Sequence, residues 1–430
     1  MAYTETTSVS WLDRLGGSFR AIGLGIILMI AGTVLLWWNE GNFVATRDAL
    51  NEAQGITQEL GDITRIDPSK NGRLVHASGP VETRDMLTDP VFGLSINAIR
   101  LERTVEFYQW VEESHSETRQ KLGGGEETVT TYTYRQQWTS SPVNAGNFKD
   151  PNAQRLHKNV VLTRLEDYKA QAKNVTFGAY RLPEWMISAI YPAVPLNVNL
   201  PEETMSALNT QLISAARKSG ISLPQSTAGN VTHQDLSKNI PQDVAGKQSD
   251  TSAPVIIQDP TQRALEPPIA DVPLMVHVSV NTILLGMSPG VPQVGDVRVT
   301  FTQTLPGTVS ILGQCNGHTF EKFRASNDKT VGTLEMGTRS LEEMYDNAHS
   351  ANTTMTWILR VVGAFLVIFG LGRIVAPLEV IASVIPLLGR IVGVGTGIVS
   401  LLLGLAWSLI IIAIAWLRFR PVMGLGMLGD

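Results

Sequence analysis

The chain has 430 residues, enough for two or three folding units, and carries a net charge of −5 with 17% charged residues, against about 25% in an average soluble domain. No basic stripe offers a nucleic-acid surface. The one cysteine, Cys315, excludes an internal disulfide framework and a cysteine-cluster metal site, and it reads as a small buried apolar residue.

Residues 1–18 read as a cytoplasmic N-terminus and 19–38 as a first transmembrane helix. Ala21 to Trp38 holds no charge and is long enough to cross nearly all of a ~30 Å hydrocarbon layer at ~1.5 Å per residue. An export signal would have a shorter apolar core and small residues at its exit. Here the exit is Leu-Trp-Trp-Asn-Glu, so the segment reads as a permanent anchor that breaks at Asn39, Glu40 and Gly41. Arg14 and Arg20 put the preceding end in the cytoplasm, and Trp37 and Trp38 suit the wet edge of the bilayer. Gly17, Ala21 and Gly25 recur at the spacing that lets helix backbones approach.

Residues 39–350 form an extramembrane α+β domain of mostly antiparallel strands. Val44–Ala53 reads as a short polar helix. Arg73–Gly79, Ile99–Glu112 and Thr128–Trp138 carry strand patterns, with Ile99, Leu101, Val105, Phe107 and Val111 on one face of the second. The glycine-rich, charged stretch HSETRQKLGGGEE, residues 115–127, reads as a long exposed hairpin loop. Tyr108, Trp110, Tyr132, Tyr134 and Trp138 are then placed to meet across the hairpin. Leu182–Tyr191 reads as a short helix. Pro201–Ser219 is a stronger one, with Pro and Glu at its start and Arg217, Lys218 and Gly220 at its end. Residues 223–268 are a polar linker or insert. Strands resume over Met275–Leu285, Asp296–Leu305, Thr308–Gln314 and His318–Ala325, with Asn316-Gly317 as a hairpin turn. Arg339–His349 is a helix leading into the membrane.

The C-terminal part is a bundle of two to three further helices. Residues 355–375 form a second span, with Arg360 and Arg373 near its ends where they can snorkel. Residues 396–417 form the last span, closed by Arg418 and Arg420, with 418–430 as a cytoplasmic tail. Between them, 376–395 carries Glu379, Pro386 and Arg390. It is either a third crossing or a re-entrant segment. The positive-inside bias favours a crossing, giving four spans with Arg418 and Arg420 inside. Glu379 and Arg390 are intramembrane polar residues that read first as interfacial or structurally paired groups, with an ion or lipid path as the alternative. Gly393 and Gly397 are further helix-packing candidates.

No hydrolase, zinc-protease or nucleotide-loop motif is present, so no catalytic residue, metal or cofactor is expected. His76, His277 and His318 lie on expected strands and are the first suspects for a ligand or acid/base group.

Several stretches in order resemble the transmembrane protein 43 family, also called LUMA: WNEGNFVATRDALNEAQG (Trp38–Gly55), NGRLVHASGPVETRDMLTDPVFGLSINAIRLERTVEFYQWVEE (Asn71–Glu113), YTYRQQWTSSPVNAGNFKD (Tyr132–Asp150), GDVRVTF (Gly295–Phe301), WILRVVGAFLVIFGLGRI (Trp357–Ile374) and WLRFRP (Trp416–Pro421). The NEG stretch and the EFYQWVE strand are the most specific parts; residues 150–270 match poorly. The resemblance implies an N-terminal span, a large domain on the lumenal or periplasmic side, a C-terminal cluster of spans and no catalytic residues. Animal members are placed in the endoplasmic reticulum and inner nuclear membrane; a bacterial member would sit in the inner membrane. The implied role is that of a membrane scaffold, with lipids, further copies of the chain and other membrane proteins as partners. A transport component built on Glu379 and Arg390, or a periplasmic ligand-binding domain or enzyme, are the alternatives.

Overall fold

A computed structural model describes residues 2–221, 274–288 and 290–420. The expected linker at 223–268 and the tail beyond Arg420 lie outside the described residues. Among those described, three helices are long and apolar enough to cross a membrane: α1 (Trp11–Ile56), and two that follow the extramembrane domain. The protein is a multi-pass integral membrane protein with a sheet-rich domain between its helices.

The first helix is far longer than expected. Ser10 caps it, accepting from the Asp13 backbone N–H at 3.2 Å, and it then runs unbroken through Asn39, Glu40 and Gly41 to Ile56. The polar triplet is therefore neither a turn nor a helix end, and Val44–Ala53 is the upper part of the same rod. Tertiary contacts explain why. A side chain at Gly41 would meet the Phe419 ring at 2.9 Å, so the glycine makes room for a neighbouring helix instead of ending its own. At ~1.5 Å per residue the rod is about 69 Å long. Its lower half crosses the bilayer, and its upper end packs Ala49, Leu50 and Ala53 into the domain.

Among the described residues the domain holds two principal sheets. The first contains eight strands, including β1 (Tyr3–Val9), a long pair β3 (Arg100–Gln120) and β4 (Glu126–Thr139), and β5 (Val276–Val278), β6 (Thr282–Leu285) and β7 (Val297–Thr304). Their order is β1-β4-β3-β7-β6-β5. The register sets Val299 opposite Val105 and Val297 opposite Phe107. Leu101, Val105, Phe107, Val297, Val299 and Phe301 fill one core, and the helix Glu202–Lys218 covers it with Leu212, Ile213 and Ala216. Met275–Leu285 is a tight antiparallel pair and not one strand.

The second sheet is built on β2 (Leu74–Thr83), β8 (Thr308–Asn316) and β9 (Thr319–Glu321). β8 pairs with both β2 and β9, and Tyr180–Arg181 and Val175–Phe177 link β9 back to β2. Five strands thus close on themselves. Val75, Ala77, Phe177, Tyr180, Ile311 and Phe320 fill the inside. Cys315 lies there too, and burial pushes its thiol up to about 11, so it behaves as an inert core residue. Gly317, at φ 60, makes the turn between β8 and β9 that Asn316-Gly317 predicts.

Asp85 fastens an edge of this region. It accepts from the Asn174 backbone N–H at 2.8 Å, the Asn174 amide at 3.0 Å and the Lys173 N–H at 2.7 Å. The bonds from Asn174 foremost hold its carboxyl below the usual range. A depressed carboxylate stabilises the fold above its unfolded pKa, and loses that contribution as pH falls through its folded one. Asp85→Asn should therefore weaken the protein near neutrality and converge with wild type in acid, as urea unfolding across pH would report.

The C-terminal helices complete the bundle. Ser340 and Glu343 form a capping box at the start of the second membrane helix, α2 (Leu341–Ala382). The third, α3 (Pro386–Phe419), begins with Pro at its first position, where the missing N–H costs nothing. Only Ser383, Val384 and Ile385 separate the two. This corrects the expected fourth span: 376–382 ends α2, 386–395 begins α3, and no separate helix crosses between them. Pro386 starts a helix and does not kink one. With three crossings, Arg418 and Arg420 lie at the end of the bundle nearest the domain. Arg14, Arg20, Arg373 and Arg390 share the opposite end, which agrees with the positive-inside bias.

α1 and α2 run antiparallel along a seam with a seven-residue spacing. A side chain at Gly25 would fall 2.6 Å from the Gly370 carbonyl oxygen, and one at Gly32 would fall 2.7 Å from that of Gly363. One step further, Asn39 Nδ2 donates to the Thr356 carbonyl at 3.1 Å. Close backbone approach replaces the hydrophobic drive that lipid removes. Gly370→Val should force the pair apart at a cost of about 1–3 kcal/mol, read as a lower melting temperature in detergent.

Candidate functional site

Where the bundle meets the domain, all three membrane helices converge on one buried carboxylate. Glu40 of α1 is 1% exposed. Its Oε1 accepts from Arg360 Nε at 2.6 Å and its Oε2 from Arg360 Nη2 at 2.9 Å. Trp416 of α3 donates its indole N–H to Oε2 at 2.7 Å. The Arg360 guanidinium also lies 4.7 Å from the Trp357 ring centroid and 5.6 Å from that of Trp416. Arg420 caps the cluster, 4.6 Å from the Phe43 ring and 4.9 Å from Trp416. Glu40 and Arg360 each have a charged partner and an aromatic wall, the arrangement a buried ion pair needs to offset its desolvation, whereas Arg420 stacks on the rings with no hydrogen bond to its buried Nε among the described residues. The fork of Arg360 engages both carboxylate oxygens, which a lysine could not do.

Sequence reading quoted Glu40 and expected Arg360 at an interface, but did not join them. The signal was present: an arginine three residues into an apolar run calls for a counter-ion, and Glu40 sits at the matching depth on α1. A second buried pair also escaped notice. Arg103 stands among the apolar residues on the inward face of β3 and pairs with the fully buried Asp89 at 2.6 Å.

The other singled-out residues are dispersed. Trp37 packs edge-on to Phe419, 5.5 Å between centroids, while Trp38 is exposed. The Glu379 side chain rests against Gly393 across the α2–α3 hairpin, and Arg390 is exposed on α3. They do not form an ion pair. Gly25 lies in the α1–α2 seam, whereas side chains at Gly17 and Gly397 would meet nothing within 4 Å. Arg373 is exposed, and Arg418 lies 5.9 Å from the Phe419 ring.

The three histidines are not brought together. His76 is held inside β2 by Glu59 at 2.8 Å and the Arg339 carbonyl at 3.0 Å. His277 is on β5, the far edge of the other sheet. His318 lines a cleft of about 550 Å³ with Lys173, Arg181 and Glu184. Of the aromatic set, Tyr108 meets Trp138 at 5.2 Å, but Tyr134 packs on Phe148 and Trp110 on His157. Among the described residues no group of three histidine, cysteine or carboxylate side chains could hold a metal.

This architecture can now be set beside known proteins. The family model for transmembrane protein 43 matches residues 107–421. The chain belongs to the transmembrane protein 43 family. It is similar to human transmembrane protein 43, 24% identical over 434 residues, covering 97% of this chain and 89% of the relative. It is similar to the mouse protein at 23% over 433 residues, with the same shares. The transmembrane protein 43 homolog of Drosophila melanogaster is 25% identical over 414 residues, covering 93% and 89%. No solved structure matches. For this family member, the match takes in Arg360, Trp416 and Arg420 of the boundary cluster.

Proposed function

We propose that this transmembrane protein 43 family member is a non-enzymatic membrane scaffold that organises other membrane proteins and works by self-association. The observation that carries the reading is how its charges and small residues are used. Glu40, Asp89 and His76 each engage a neighbour within the chain and stiffen it; none converges on a shared cavity. Gly17 and Gly397, by contrast, face open space on the outer surface of the bundle, where a further helix could approach closely. A rigid domain fixed to a bundle with open grooves suits assembly better than turnover. The separation of Glu379 from Arg390 leaves a transport path through that pair without geometric support. Amine crosslinking in native membranes tests the proposal: discrete multimers are expected, and a strict monomer without partners would contradict it.

A further inference from the structure

The β3–β4 ribbon does not stay in the domain. Its tip reaches the far end of the membrane helices. Arg14 at the foot of α1 donates to the Gly124 carbonyl and pairs with Glu126 at 2.6 Å. The Gly123 N–H donates to the Val384 carbonyl in the α2–α3 turn at 3.2 Å. From Arg14 up to Glu40, α1 covers about 39 Å at ~1.5 Å per residue. The same climb along β3, at ~3.3 Å per residue, takes the ribbon from Gln120 back to roughly Tyr108–Trp110. The ribbon therefore runs the full depth of the bilayer beside the bundle.

Its outer half is too polar for lipid. Along this length β3 offers Val111, Glu112, Glu113, His115, Glu117 and Arg119, and β4 offers mainly Thr, with Val129, Tyr132, Tyr134 and Arg135. A transmembrane barrel strand would alternate apolar with polar; here Ser114–Gln120 and Glu126–Thr131 carry charges on both faces, with Val129 as their one apolar residue. Its edges are open as well. β1 adds a third strand, pairing Tyr3–Val9 with Tyr132–Glu126, and is the outermost strand of its sheet. On the other side, β7 covers β3 only as far as Phe107, and Asn159 covers Trp110. Among the described residues, Ser114–Gln120 has no strand beyond it. The pairings set Tyr3 level with Ser114 and Val9 level with Gln120. Among the described residues, two edges of equal length without a further strand thus lie at one depth, and backbone groups left unpaired there must find protein or water.

We infer that the occupant is a second copy of this chain: β1 of one copy pairs with Ser114–Gln120 of the next, closing a water-filled lumen inside a ring of membrane helices. Both strands run toward the tip, so the pairing is parallel and head-to-tail, the type of contact that closes a ring. Closure removes the exposed edges. The face bearing Glu126 turns toward α1, through Arg14. The opposite face, bearing Thr6, His115, Glu117 and Arg119, lines the lumen. This inference rests on the self-association proposed above and assigns its interface.

Disulfide mapping tests it. In a Cys315→Ser background, Thr6→Cys is combined in turn with cysteine substitutions at each position from Ser114 to Gln120, and native membranes are mildly oxidised. Within one copy β1 and β3 lie two strands apart, about 9–10 Å, beyond the ~7 Å reach of a disulfide. Any bond is therefore between copies. Rotational symmetry keeps faces matched, so covalent multimers should form only with His115→Cys, Glu117→Cys or Arg119→Cys. Multimers at none of these, or at successive positions without alternation, overturn the ribbon interface. If native gels of the same samples still show an oligomer, self-association stands and only the interface falls; if they show a monomer, both fall.

Discussion

Replacing Glu40 by alanine should destabilise the protein by about 3–5 kcal/mol, the cost of removing one partner from a buried ion pair. The loss is large because Arg360 stays behind, its side chain 11% exposed, facing two tryptophans and no anion. Trp416 loses its acceptor in the same step. Arg360→Ala should cost a similar amount by stranding the carboxylate. The double variant should cost clearly less than the sum, because the two sites share one interaction. Glu40→Gln should be milder, since its amide oxygen can still accept from Arg360 or Trp416. Trp357 and Trp416 lie in the cluster, so tryptophan fluorescence during denaturant unfolding in detergent reads it directly. A change below about 0.5 kcal/mol would mean that the pair is screened as a surface pair is, and that the three helices are held to the domain by something else.

Asp89→Ala should cost about as much, ~3–5 kcal/mol by the same argument, but in the extramembrane domain. Asp89 accepts the Val91 and Phe92 backbone N–H groups at 2.9 Å each, as well as Arg103. Its loss frees a loop and strands a cation at once. Arg103 would keep its bonds to the Glu166 carbonyl and its place between the Phe92 and Tyr168 rings, yet no anion would remain. Changing both residues, as Asp89→Leu with Arg103→Met, should recover much of the stability, since an apolar pair of similar volume is often no worse than a buried ion pair. Urea unfolding of the full chain followed by circular dichroism would show whether the double variant exceeds the single one.

The readable parts of the sequence were those with one apolar face. The anchor, the last span, the helix after Pro201 and the strands around Leu101–Phe107 and Val297–Phe301 declare themselves by run length or period. The remainder was hidden for physical reasons. α1 continues past Trp38 because Phe419 and Arg360 compensate for Gly41 and Glu40, and both come from more than 300 residues away. The ribbon extends to Gln120 on paired backbone hydrogen bonds and ion pairs such as Arg14–Glu126; from Ser114 to its tip it has no hydrophobic period to detect. The α2–α3 turn is hidden because the charge sides of Arg418 and Arg420 favour a crossing over 376–395, whereas Pro386 opens a new helix there and Glu379 and Arg390 each sit near a helix end. The α1–α2 seam follows a seven-residue spacing, Gly25, Gly32 and Asn39, whereas Gly17, Ala21 and Gly25 in the sequence point to a four-residue one. Buried pairs such as Glu40–Arg360 can be suspected from one chain position but are joined only by the fold.

Everything structural here depends on three crossings, with the end of α3 beside the domain. In the Cys315→Ser background, Lys322→Cys on the domain and Arg418→Cys at the end of α3 can each be probed with a membrane-impermeant maleimide in sealed vesicles of known orientation. Labelling of both from the same side is the result expected. Labelling from opposite sides would mean an even number of crossings, and would take apart the cluster around Glu40 on which the account is built.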